Sequence, residues 1–331
     1  MIYRFNVCDL NAIETRVGAW LAGCDSLLNV FQPRPGKPNG NCPYLDFACK
    51  VFYLNYETLE AKYNAKDKDA KYKRKFAKPG VLGAIYRMGG GGWGQGKSSY
   101  RDPETGKKIY DRIRTGLWGY AWGMGVELEQ DQANAIVRIF RDSYPEIPQF
   151  WQILENAVLE VMDPEHPNTV RRVGPNGCVV IDRLNVENRN PIMRMRLPSG
   201  RYLHYLDAFV RKTEMPWTDR DGHKVYRPAL WYAQENQTTG VWGLTSTHGG
   251  KEFENLVQGI ARDVLAIKLL LFEENDMPVV GHVHDEGITM VPYDPFSPTL
   301  EDMIRIMSQP VDWAPGLLLG ADGFEGSFYH K

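Results

Sequence analysis

The segment that most restricts the fold of this chain lies near its end. Across residues 252–274, Phe253, Leu256, Val257, Ile260, Val264, Ile267 and Leu271 recur at the spacing of a single helical stripe. Two short apolar runs, 278–283 and 287–291, follow at once and read as the arms of a β-hairpin with His284, Asp285 and Glu286 at its tip. At the other end, residues 3–8 alternate as a strand and 13–21 have helical spacing through Ile13, Val17, Trp20 and Leu21, so Asp9 stands where a strand gives way to a helix. In between come a Pro/Gly-rich loop (31–43), helical stretches near 44–53 and through 62–78, and a glycine tract (89–96). The stretch 98–108 reads as loop, and helices at 130–144 and 147–161 are separated by Pro145 and Pro148. Residues 163–227 carry turn signals and short strands, and no internal repeat is visible. The expected fold class is α/β (α+β), with helices dominating the middle and strands at both ends.

Composition removes several classes. With 331 residues, 43% hydrophobic and 24% charged, the chain is an ordinary globular one of one large or two joined domains, not fibrous or disordered. No apolar run approaches the ~20 residues that span a bilayer, and the start, MIYRFNVCDL, lacks a signal-peptide pattern. A soluble, cytoplasmic protein without membrane partners is expected. Five cysteines without a close CxxC pair argue against a disulfide framework or a zinc knuckle. Net charge is −2, yet Lys62, Lys66, Lys68, Lys71, Lys73, Arg74, Lys75 and Lys78 crowd together against only Asp67 and Asp69. Such a run is either a solvated helix face or a surface that meets polyphosphate.

One motif is a decoy. Residues 91–98 fit GxxxxGK[ST], the phosphate-cradling P-loop, with Lys97 as its lysine. That loop needs a strand before it and a helix after it, whose N-terminus helps to bind phosphate. Here 81–88 continues a helical pattern, and Pro103 and Gly106 argue against a following helix.

A second constellation is more demanding. Asp9 at a strand end and Asp285 at a hairpin tip are each unremarkable, but carboxylates on adjacent strand ends can hold two Mg²⁺ ions ~4 Å apart for phosphoryl transfer. Arg74, Lys78, Leu82 and Tyr86 follow at four-residue spacing, each ~40° around a helix from the last, so basic and stacking groups share one stripe. Pro79 fits a helix only in its first turn, which would set Arg74 and Lys78 near a helix N-terminus, where the macrodipole favours phosphate.

These residues carry a resemblance. Residues 7–23, VCDLNAIETRVGAWLAG, resemble motif A (DYSQIELR) of the family A, DNA polymerase I-like, DNA polymerases, with Asp9, Ile13, Glu14 and Arg16 in register. Arg74, Lys78, Leu82, Gly83 and Tyr86 are similar to motif B, RxxxKxxx[F/Y]GxxYG, and His284, Asp285 and Glu286 to the HDE of motif C. Residues 254–263 resemble the helix ahead of motif C, and 197–202 the GR-containing hairpin after the fingers. Residues 43–48 and the ending WAPGLLLGADGFEGSFYHK resemble phage members in particular.

The resemblance implies a right-hand polymerase palm with inserted helical fingers. Palm would comprise 1–27 (motif A) and 231–331 (motif C), and fingers 28–230 (motif B). Thumb and exonuclease domains are expected to be absent from this chain, and a separate thumb- or exonuclease-bearing chain is a candidate partner. Asp9 and Asp285 would be the catalytic metal carboxylates, with Glu286 either supporting them or an exposed hairpin acid. Lys78 and Arg74 would meet the triphosphate of the incoming dNTP, and Leu82 would lie against the nascent base pair. Glu14, with Tyr86 packed nearby, would crowd the sugar 2′ position. His284, Gln258 and Arg201 would contact primer–template DNA. The departures are Leu82 where many relatives carry Phe or Tyr, Arg87 in place of a glycine, and Tyr44 where cellular relatives place a histidine. The function implied is template-directed DNA synthesis with Mg²⁺, in phage replication and the host cytoplasm. The alternatives are a non-catalytic nucleic-acid-binding remnant and a P-loop NTPase built on 91–98.

Overall fold

The computed structural model describes residues 3–103, 105, 107–236 and 239–329. The chain opens with β1 (Tyr3–Leu10), α1 (Ile13–Ala22) and the short α2 (Asp25–Leu28), followed by α3 (Pro43–Phe52), α4 (Tyr56–Asn64) and α5 (Lys68–Ala84). A two-stranded hairpin, β2 (Trp93–Arg101) and β3 (Lys108–Arg114), separates these from α6 (Gly116–Gly123), α7 (Gln130–Ser143) and α8 (Glu146–Val161). An antiparallel six-stranded sheet comes next, its strands adjacent in chain order: β4 (Arg171–Val173), β5 (Val179–Leu184), β6 (Ile192–Arg196), β7 (Tyr202–Thr218), β8 (Lys224–Glu235) and β9 (Trp242–Ser246). The chain then runs through α9 (Gly249–Glu274), β10 (Val279–Val283), β11 (Glu286–Pro292), α10 (Leu300–Ser308) and β12 (Ala321–Gly326). Among the described residues no helix is long and apolar enough to cross a membrane.

The sheet that matters most joins the two ends of the chain. Its order is β10-β11-β1-β12, so the first strand lies between two of the last three. All pairs are antiparallel, and the register sets Cys8 opposite Gly287 and Asp9 opposite both Glu286 and Asp322. Alternation then divides the faces. Cys8 is fully buried, and a Cβ at Gly287 would come within 3.0 Å of the Phe272 ring, so glycine is what lets α9 approach this face. Asp9 and its two partners project from the opposite face.

Behind the sheet, α9 is the central beam. Phe253, Leu256, Val257, Ile260 and Val264 are buried as their spacing demands, and α1 and α8 pack against them. The stripe rotates at its end: Ile267 is 37% exposed, while Lys268 is buried and its ammonium donates to the Gln309 carbonyl at 2.6 Å.

Three local expectations fail. Pro79 does not open a helix. Helix α5 starts at Lys68, its first turn capped by the Asp67 carboxylate accepting from the Ala70 amide at 2.8 Å, and Pro79 lies well inside it. The lost backbone hydrogen bond is offset by close packing, since a Cβ on the neighbouring Gly80 would meet Ile136 at 2.5 Å and Phe47 at 2.9 Å. Arg74 and Lys78 are therefore mid-helix, and the macrodipole argument for them falls. Residues 98–108 are not simply loop, because β2 runs on to Arg101 and β3 begins at Lys108, held by cross-strand bonds despite poor strand composition. Finally, residues 163–227 contain the long strands β7 and β8 as well as short ones.

Candidate active site

The site begins with a row of like charges. Residues directly opposite in an antiparallel sheet share a face, so Glu286, Asp9 and Asp322 stand side by side on β11, β1 and β12. Asp285 joins them from the two-residue turn between β10 and β11, where its carbonyl accepts from the Leu10 amide at 3.2 Å and His284 takes a positive φ of 55°. Burial pushes the Asp9 carboxyl up, and the charges of Asp285, Asp322 and Glu286 push it further. Glu286 is not an exposed hairpin acid. It lies in β11, is 5% exposed, and accepts from the Tyr329 hydroxyl at 2.9 Å. Asp322 accepts from Asn11 at 2.8 Å and from Asn39 at 3.1 Å. Asp9, Asp285 and Asp322 form no ion pair among the described residues. Clustered oxygen donors of this charge are the hard-ligand set that suits a divalent cation such as Mg²⁺.

The turn that presents Asp9 is clamped by a buried arginine. The Arg16 guanidinium donates to the carbonyls of Asn11 (2.7 Å), Asn39 (2.7 Å) and Leu318 (3.2 Å) and lies 4.3 Å from the centre of the Phe31 ring. It ties β1, the following turn and the chain leading into β12 into one unit.

Facing the carboxylates is a cleft of about 370 Å³. Asp9 and Asp285 line one side, Glu14 and Tyr44 the middle, and Arg74, Lys78 and Leu82 the other side. The four-residue stripe of α5 therefore does point at the acids. The Tyr44 ring lies between the two cations, 5.1 Å from the Arg74 guanidinium carbon and 5.6 Å from the Lys78 ammonium, and keeps both side chains forward. Tyr86 falls on the tightened turn after α5, with its ring packed on Phe253 (centroids 6.2 Å apart). Its hydroxyl is buried without a hydrogen-bond partner.

A second cleft, about 230 Å³, adjoins the first across Glu14, Ile13 and Asp285 and is also lined by Gln258, Arg262 and His284. Gln258 donates to the Glu14 carboxylate at 2.5 Å. Arg201 braces the same stretch of α9, donating to Asp263 at 2.7 Å and to the Gly259 carbonyl at 2.9 Å. Of the residues singled out in the sequence, Asp9, Glu14, Arg74, Lys78, Leu82 and Asp285 line the first cleft and Gln258 and His284 the second, whereas Glu286, Tyr86 and Arg201 line neither. The decoy is not a P-loop: residues 91–98 follow a helix and run into β2, the reverse of a P-loop's strand-then-helix setting. The Lys97 side chain lies outside what the structure describes.

Comparison with known proteins gives two likenesses. No family model matches the chain. A curated relative, the DNA polymerase of Bacillus phage SP02, is 29% identical over 327 residues, spanning 99% of this chain and 41% of that protein. Among solved structures, the POL domain of Pol1 from M. smegmatis, in complex with DNA primer-template and dNTP, superposes with a TM-score of 0.51 at 11% identity, covering 98% of this chain and 39% of that one. The chain is thus similar in sequence to a phage DNA polymerase and in fold to a DNA polymerase POL domain. It spans about 41% of the length of the phage relative.

Two side chains of this site were missed in the sequence. Arg262 follows Gln258 by four residues on α9 and faces the same cleft, a spacing visible in the sequence. Asp322 left no such signal, because its place beside Asp9 depends on the β1–β12 register. The Arg87 departure has a structural basis: its guanidinium pairs with Glu155 of α8, which also accepts the Gly249 amide at the start of α9. A further group, Asp219, Asp221 and His223, has ligand atoms within 4.8 Å of one another, but it lies on the exposed turn between β7 and β8, where Asp219 caps its own turn.

Proposed function

We propose that this chain forms the palm and fingers of a template-directed DNA polymerase, with palm at 1–27 and 231–331 and fingers at 28–230. The observation that carries the reading is the single cleft in which Asp9 and Asp285 face Arg74 and Lys78. Arg74 and Lys78 bind the triphosphate of a dNTP, and Tyr44 orients them. Glu14, fixed by Gln258, fills the space beside the sugar and excludes a 2′-hydroxyl. His284, Gln258, Arg262 and Arg201 face the primer–template. Asp9 and Asp285, with Glu286 and Asp322 beside them, would hold two Mg²⁺ ions, which supply Lewis-acid activation and charge compensation when bound. The primer 3′ hydroxyl attacks the α-phosphorus and gives up its proton to solvent, the bond from the α-phosphorus to the oxygen bridging the β-phosphate breaks, and pyrophosphate leaves against Lys78 and Arg74. Phage DNA replication is the setting that fits the relative, with thumb and exonuclease functions supplied by further polypeptide, on this chain or on another.

The test is single-turnover incorporation at saturating primer–template. Lys78→Ala should slow the step about 10²-fold or more, whereas Lys97→Ala should leave it within about twofold. Loss in the Lys97 variant with retention in the Lys78 variant would return the chain to the P-loop reading. Tight primer–template binding with no incorporation by the unaltered chain would make it a binding remnant.

A further inference from the structure

The β2–β3 hairpin has two unlike faces. Register sets Trp93 opposite Arg114 and Gln95 opposite Arg112. Alternation therefore gathers Lys108, Tyr110, Arg112 and Arg114 on one face with Trp93, while Ile109, Asp111 and Ile113 take the other. On the first face cations and rings interleave. Lys108 lies 5.0 Å from the Tyr110 ring centre, Arg112 4.6 Å from that of Trp93, and Arg114 3.8 Å from that of Trp122. Trp93 meets Trp118 edge-on at 4.9 Å, yet Trp93 and Trp122 each remain 53% exposed. Lys108, Arg112 and Arg114 form no ion pair among the described residues. A structural hairpin of ordinary kind would neutralise its cations and bury its tryptophans, and this face does neither.

The face is continuous with the proposed active site. Helix α6, which follows β3, packs against α5 so closely that a Cβ at Gly83 would meet Leu117 at 3.2 Å and Tyr120 at 3.4 Å. Burial raises the Tyr120 phenol pKa, and the nearby charges of Glu14 and Glu254 raise it further. Trp122 is one step further out, then the Arg112–Trp93 pair, then Tyr110 and Lys108. From Lys108 to Arg114 the strand covers roughly 20 Å, room for about six stacked nucleotides at ~3.4 Å each.

We infer that this face is a docking track for single-stranded nucleic acid, specifically the unpaired 5′ segment of the template entering the active site. Positive charge follows the phosphates, and the open ring faces of Trp93 and Trp122 take unpaired bases, which a duplex cannot offer. The identity of the strand rests on the polymerase reading; binding by the hairpin does not.

The experiment measures affinity of the full chain for a primer–template hairpin carrying a long 5′ overhang, a single-nucleotide overhang, or a long abasic overhang of equal charge. The long overhang should bind about tenfold more tightly than the single-nucleotide one, and the abasic overhang should recover only part of that gain. K108Q/R112Q and W93A/W122A should each cut the gain, W93A/W122A to about what the abasic overhang keeps, without changing affinity for the single-nucleotide overhang. The first pair should also reduce the slope of log affinity against log salt by about 1.4, at ~0.7 per phosphate contact. The two residues of that pair are exposed and support no core, so loss of fold does not enter. The assignment is overturned if the unaltered chain gains nothing from the overhang, if both variants keep the gain, or if the abasic overhang binds as well as the natural one. Incorporation measured in parallel separates the two readings, since its absence from the unaltered chain defeats the polymerase and leaves the overhang comparison intact.

Discussion

Replacing Asp9 by Asn should make the metal-free protein more stable, not less. Asp9 is the middle member of the row Glu286–Asp9–Asp322, with Asp285 beside it. Each directly opposed like-charge pair costs about 0.2–1 kcal/mol, and Asp285 adds a comparable repulsion, so the variant gains roughly 1–3 kcal/mol. With an unfolding entropy of about 2.1 cal/mol/K per residue, 331 residues give roughly 0.7 kcal/mol/K, and the midpoint should rise by about 1–4 °C. The sign depends on pH. The folded Asp9 carboxyl is raised above its unfolded value, so the repulsion is fully present above the folded pKa and disappears below the unfolded one, ~3.9. Thermal unfolding in chelator should show the gain at pH 8 and lose it toward pH 3.5. Saturating Mg²⁺ should reverse the order, because a cation at a hundredfold excess over Kd stabilises the unaltered row by about 2.7 kcal/mol and the variant far less. An Asp9→Asn protein that melts lower than its parent in chelator at pH 8, with the fold intact, refutes the like-charge account.

Three further outcomes are expected. Glu14→Ala removes the group that Gln258 holds at 2.5 Å and should improve ribonucleotide over deoxyribonucleotide incorporation by about tenfold or more; unchanged sugar selection removes Glu14 from the gate. Glu252, 1% exposed, has its carboxyl pushed up to about 8 by burial, with Glu155 adding and Arg87 opposing. Stability should therefore fall as pH rises from about 4.5 to 8, by up to ~1.4 kcal/mol per unit, and Glu252→Gln should flatten that slope in urea unfolding; an unaltered slope places the titration elsewhere. Lys268, buried on α9, has its ammonium lowered to about 8 by burial alone. Its cost is present below that value and fades as pH rises toward 10.5. Lys268→Met should raise the midpoint at pH 7 by roughly 1–4 °C, and a lower midpoint would show that the Gln309 contact outweighs desolvation.

What could be read in the sequence was whatever short-range periodicity encodes. The α9 stripe, the HDE hairpin and the strand–helix junction at Asp9 follow from local spacing, as does the alignment of Arg74 and Lys78 on one face of α5. What could not be read depends on distant partners. Asp322 stands beside Asp9 through a pairing across more than three hundred residues, and Glu286 is buried because Tyr329 returns to cover it. Pro79 misled because the close approach of its neighbour Gly80 to Phe47 and Ile136 holds the helix together there, overriding the local rule against proline inside a helix. The β2–β3 hairpin was hidden by its composition: glycines and cations read as loop until the two strands are paired.

The central claim is template-directed DNA synthesis in the cleft between Asp9–Asp285 and Arg74–Lys78, and the most direct measurement is single-nucleotide extension of a labelled primer. Four templates differing only in the first unpaired base, each offered every dNTP singly with Mg²⁺, should give addition only of the complementary nucleotide, and Asp285→Ala should abolish it. Addition that ignores the template base, or that survives in Asp285→Ala, would contradict the account.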